Sequence, residues 1–156
     1  MTGFGLLAAS LLAFFPAPVT AAAEELFYAE LVVALVGQEP TNNPNVVKQT
    51  FSLDGFANPL GKNVTGTAVE YYNTKTGKFV GTFVLENKQG DTIFGTVDGA
   101  LVPTDNPGIF ENIETFEILG GTGQFTGATG GGEGYALVNF VTGTPPTVVF
   151  TGVIRP

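Results

Sequence analysis

The chain has 156 residues, 14 acidic and 6 basic side chains, a formal net charge of -8, and no Cys, His or Trp. That length fits one domain, and the missing residue types exclude a disulfide framework, a thiol nucleophile, a histidine base and the commonest zinc ligand. With Arg155 as the only Arg beside five Lys there is no basic patch for nucleic acid, and a charged fraction of 13% is too low for a disordered chain.

The first element is an address. Gly3 to Phe15 is a 13-residue apolar run, broken by Pro16 and Pro18 and followed by small residues at Ala21 and Ala23. That order predicts a signal peptide over 1–23, cleavage before Glu24, and a mature protein outside the cytoplasm, secreted, periplasmic or at the cell surface. The positive n-region is missing, because no Lys or Arg precedes Lys48. A true start elsewhere in the gene would explain it. The run is also short for a membrane span of roughly 20 residues.

From Leu26 onward, β-formers alternate with turn residues. Leu26 to Val36 predicts a first strand, since Phe, Tyr and three Val outweigh its helix-compatible length. Gly37 to Asn45 reads as a loop, with two Pro and three Asn. Further strands are predicted over Val46 to Leu53, Val64 to Tyr72, Lys78 to Glu86, Thr92 to Leu101, Phe110 to Leu119, Tyr135 to Val141 and Thr147 to Ile154. Short polar turns join several of them as hairpins. The expectation is an all-β domain over 24–156, an eight-stranded antiparallel barrel, because a meander of that size leaves edges that closure removes.

Several strands are apolar on both faces. In Lys78 to Glu86 one face carries Phe79, Gly81, Phe83 and Leu85, and the other Val80, Thr82 and Val84. A one-sided soluble sheet alternates apolar with polar. The outer face therefore calls for a cover: the N-terminal strand, a membrane or a second copy. The pattern lacks the aromatic girdles and aromatic terminus of an outer-membrane barrel. A homodimer or homotrimer is expected, without membrane contact.

Residues Leu119 to Gly134 read LGGTGQFTGATGGGEG. Gly120, Gly121 and Gly123 permit a tight turn at a strand end, and Phe125 is the large apolar side chain placed to plug a barrel mouth. A phosphate cradle does not fit, because the second Gly spacing, the Lys-Ser/Thr pair and the following helix are all absent.

This Gly-rich turn between strands, GGTGQFTGATG, together with Asn58-Pro59-Leu60 and Val64-Thr65-Gly66-Thr67-Ala68 upstream, resembles the allene oxide cyclase and dirigent barrel superfamily. The similarity is closest to its small secreted bacterial members and covers Gln49 to Ile154. The resemblance implies a calycin-like eight-stranded barrel with a hydrophobic cavity, often in dimers or trimers. It is specific for fold and weak for activity. Plant dirigent proteins carry an acidic residue before the Pro-Leu pair, where this chain has Ala57 and Asn58. They also carry an Arg where it has Thr67. Their Tyr is matched by Tyr72.

Tyr72 and Glu70 are the candidate ligand-binding residues, two apart and so on one face of a strand. If that face is inward, a desolvated Glu70 has a raised pKa and can donate a proton. The rarity of unpaired buried ionisable groups favours the opposite arrangement, with Val69 and Tyr71 inside and Glu70 in water. Glu114 and Glu117 lie on opposite faces and make no glycosidase-type pair. Asp98, Asp105 and Glu111 match no calcium-loop spacing. Asn63-Val64-Thr65 fits a glycosylation sequon by pattern alone. No catalytic residue, metal or cofactor is assigned. The leading expectation is a secreted, non-catalytic barrel that binds a small apolar ligand or has a structural or assembly role. The alternative is a cyclase or isomerase of the allene oxide cyclase or dirigent type, which shapes an intermediate in a contoured lumen. A surface-layer or membrane component ranks third.

Overall fold

The computed structural model describes residues 23–155, so the signal-peptide reading of 1–23 lies outside the described residues except for Ala23. Eight strands follow in order: β1 (Glu25–Pro40), β2 (Val46–Asn58), β3 (Gly61–Asn73), β4 (Lys78–Glu86), β5 (Thr92–Pro103), β6 (Ile109–Gly121), β7 (Thr129–Asn139) and β8 (Thr147–Arg155). Each pairs antiparallel with its neighbours in sequence, and β8 returns to pair with β1. The chain is thus the expected closed, all-β, eight-stranded antiparallel barrel. Closure leaves no unpaired row of backbone donors and acceptors on any rim.

Several boundaries differ from those read in the sequence: β2 runs past Leu53 to Asn58, β3 starts at Gly61 rather than Val64, and β1 and β7 change as well. β1 continues through Pro40, across residues 37–40 that read as loop. Gln38 and Glu39 pair with Gln49 and Lys48 of β2, and their side chains hold the pairing. Gln49 Nε2 donates to Gln38 Oε1 at 3.1 Å, and Lys48 Nζ lies 3.2 Å from Glu39 Oε2. Cross-strand partners such as these are invisible to a local reading. β7 starts at Thr129 rather than Tyr135, so Gly130 to Gly132 are strand, while Phe140 and Val141 fall in the following turn. β1 is itself a wall of the barrel and does not overlie the outside of β4.

The barrel is curved by bulges placed at glycines. The β2–β3 register shifts at Gly55/Phe56, and the β5–β6 register at Phe94/Gly95. A Cβ at Gly95 would fall 1.8 Å from the Glu117 carbonyl oxygen, so only Gly admits so close an approach of the next strand.

The lumen has two storeys. The β2–β3, β4–β5 and β6–β7 connections share an end with the barrel's first and last residues. There the interior is filled by buried Phe27, Ala57, Leu60, Val64, Ile93, Ile118, Phe125 and Ile154. Phe125 enters from a single 3-10 turn (Gly123–Phe125) within the Gly-rich link and is 2% exposed. The opposite end carries the β1–β2, β3–β4, β5–β6 and β7–β8 connections, and the upper half of the lumen is hollow.

Candidate functional site

The hollow half is a cavity of about 500 Å³. Its floor is aromatic. Phe116 sits with its ring centroid 5.1 Å from Phe27, 5.7 Å from Phe150 and 6.5 Å from Phe83. These tilted and edge-on pairs suit the ring quadrupoles and keep the floor rigid. Leu31, Val33, Leu53, Val97 and Val148 form walls above it. The β7–β8 connection lies over part of the mouth, tied to β1 by Val33 N–H donating to the Pro146 carbonyl at 2.9 Å.

Strand alternation decides which polar groups enter. On β3 the even positions Val64, Gly66, Ala68, Glu70 and Tyr72 face the interior, and Tyr71 is 47% exposed on the outside. Glu70 and Tyr72 therefore both line the cavity, against the expectation that Val69 and Tyr71 would be the inner pair. Parity set lower in the strand decides this: Val64 and Ala68 are in the core, and a strand has a strict period of two. On β6 the inner row is Asn112, Glu114, Phe116 and Ile118, while Glu117 is exposed. Glu114 is a cavity residue that the sequence reading did not assign. The signal for it was the alternation of Phe116 and Ile118 two and four residues on. Gln49 on β2 completes the polar group opposite Glu70 in the register.

Both carboxyl groups are made to fit by glycine. Glu114 stands across the sheet from Gly99 on β5 and Gly134 on β7, and Glu70 stands across from Gly81 on β4. A Cβ at Gly81 would lie 2.4 Å from the Val69 carbonyl oxygen and 2.8 Å from Glu70 Cγ, and one at Gly99 would lie 2.5 Å from the Ile113 carbonyl oxygen and 2.7 Å from Glu114 Cβ. The side chains occupy space that ordinary residues would fill.

Among the described residues no Lys or Arg lines the cavity. Burial pushes the Glu70 carboxyl up to about 8, with the Glu114 charge adding to the effect. Burial likewise raises Glu114 to about 7, against the Asn112 side-chain amide, which draws it down. Desolvation without a compensating cation is the common cause. Near neutral pH Glu70 thus keeps its proton and Glu114 is partly protonated, so the lumen offers carboxyl hydrogen-bond donors as well as acceptors.

The other residues weighed in the sequence lie elsewhere. Asp98 accepts from Thr115 Oγ1 at 2.9 Å on the outer face, Glu111 accepts from Tyr135 OH at 3.2 Å, and Asp105 is in the β5–β6 connection. Asn63 lies near the start of β3, exposed. Ala57 is buried in the filled storey, Asn58 donates to the Leu26 carbonyl at 2.8 Å, and Thr67 faces outward. Of the three places compared with plant dirigent proteins, only Tyr72 borders the cavity.

No family model matches the chain, and no curated protein matches it. A solved structure does. The chain is similar to a pterocarpan synthase dirigent protein, at 18% identity and a TM-score of 0.48, over 94% of this chain and 99% of that one.

Proposed function

We propose that this protein binds a small, mainly apolar molecule in the open half of its barrel, outside the cytoplasm and as a homodimer or homotrimer. The observation that carries the binding reading is the half-filled lumen. A cavity of about 500 Å³ with a rigid aromatic floor and a few convergent polar groups has the size and lining of a small-molecule site. A barrel with a purely structural role gains nothing from it, since hollow cores cost stability. Export rests on the order of elements in 1–23. Self-association rests on the outer face of β3 to β5, where Tyr71 registers with Val80 and Val84 with Phe94, all exposed.

Titration with an uncharged, environment-sensitive naphthyl dye tests the reading. The barrel is expected to enhance dye emission with saturation at one dye per chain. Ala68→Phe, which fills the cavity wall beside Phe51 and Phe83, is expected to abolish this while retaining the wild-type circular dichroism. Equal enhancement by wild type and a folded Ala68→Phe protein would reject it.

The cyclase or isomerase alternative has one observation in its favour: Glu70 and Glu114 keep a proton close to neutral pH inside an apolar lumen, as a general acid must.

A further inference from the structure

Among the described residues the cavity holds two carboxyl groups and no Lys or Arg. Glu114 is 5% exposed and Glu70 is half-buried, yet the ion pairs among the described residues, Lys48–Glu39 and Arg155–Glu24, are both at the surface. The ionisable groups facing the cavity are Glu70, Tyr72 and Glu114. Gly81, Gly99 and Gly134 oppose the two carboxyls from β4, β5 and β7 and bring no charge. Unpaired carboxyls are rarely kept in an apolar interior, and here three glycines clear space for them. Once ionised, they call for a cation from outside the protein.

We infer that the lumen is built for a lipophilic amine, whose apolar body rests on the Phe116 floor while its protonated nitrogen donates to the Glu70 and Glu114 carboxylates. The inference rests on the ligand-site reading above and names the ligand class. The aromatic floor suits such a molecule, because ring faces attract cationic and apolar groups alike. Gln49, Asn112 and Tyr72 supply neutral oxygen atoms for the remaining N–H donors. Binding also has a proton balance. The amine arrives already charged, Glu70 and the remaining protonated fraction of Glu114 ionise to meet it, and the protons they held go to the buffer. No covalent bond changes.

The test uses three ligands that share one body: 4-phenylbutylamine, 4-phenylbutanol and 4-phenylbutyric acid. Calorimetric titration at pH 7.5, in two buffers of different ionisation enthalpy, is expected to show the amine binding about tenfold more tightly than the alcohol, the difference between a charge-assisted and a neutral hydrogen bond. The acid is expected to bind more weakly than either. Amine binding is expected to release protons, seen as a buffer-dependent heat, and alcohol binding is not. Glu70→Gln and Glu114→Gln preserve shape, so each is expected to reduce amine affinity and proton release by more than it changes alcohol affinity. Equal affinity for amine and alcohol overturns the inference, as does an amine preference that survives in the double glutamine variant. If the neutral dye enters but none of the three ligands binds, the amine inference fails and the ligand-site reading stands. If the dye is also excluded by the folded wild-type protein, both fall.

Discussion

Glu114 and Gly134 are register partners on β6 and β7, and a Cβ built on Gly134 would meet Glu114 Cγ and Oε1, each at 2.7 Å. The glycine is the reason a carboxylate fits inside the barrel at that level. Phe150 closes the same space from β8, its Cε1 atom 2.8 Å from that Cβ position.

Gly134→Ala is therefore expected to destabilise the barrel by about 1–3 kcal/mol, the usual cost of an extra methyl in a packed interior. Combined with Glu114→Ala, the loss is expected to be smaller than the sum of the single losses, because part of the clash is removed. Denaturant midpoints of the two single variants and the double form a cycle that checks this. Strict additivity would show that the crowding is all at Phe150.

Stability is expected to fall as pH rises from about 4.5 to about 8. Both carboxyls have folded-state pKa values above 4.5, at about 8 for Glu70 and about 7 for Glu114, so the folded barrel binds more protons than the unfolded chain across that window. Unfolding free energy then declines with pH. The stabilisation is complete below about 4.5 and is lost as pH passes through the folded values. Thermal midpoints from pH 4.5 to 9 should show the slope, and Glu70→Gln with Glu114→Gln should flatten it. An unchanged slope in the double variant would assign it to the other acids of the chain.

Phe125→Ala is expected to cost about 3 kcal/mol, as buried Phe truncations do. The ring plugs the filled end beneath a turn that tolerates little else: Gly123 has φ +59°, and a Cβ there would collide with Asp91 Oδ1 at 1.8 Å. The drop in denaturant midpoint measures the effect. Ligand affinity should be largely retained, because Phe125 does not line the open half.

Light scattering of the protein spanning residues 24–156 is expected to return a dimer or trimer mass. Val80→Glu with Val84→Glu, placed side by side with Tyr71 and Phe94 on the outer face, should return the monomer without changing the fold. A wild-type monomer would leave that apolar face solvent-exposed, since β1 forms a wall of the barrel and does not cover it.

The sequence by itself determined the element types and their order. β-branched and aromatic runs of strand length, punctuated by Gly, Asn and Pro turns, admit few arrangements other than an antiparallel meander, and its exposed edges demand closure. Phe125 was legible as a plug for the same local reason, being the large apolar side chain in a Gly-rich link. Only the tertiary structure decided the site. On β3 the rows Glu70/Tyr72 and Val69/Tyr71 compete locally, and hydropathy favours the wrong one. Closure fixes the choice, because Val64 and Ala68 further down must be inside and parity carries Glu70 in with them. The space each carboxyl occupies comes from glycines 11 to 20 residues away in sequence, at Gly81, Gly99 and Gly134, which meet Glu70 and Glu114 only through strand register. Whether the lumen is filled or hollow is a sum of volumes over eight strands, which no local pattern contains.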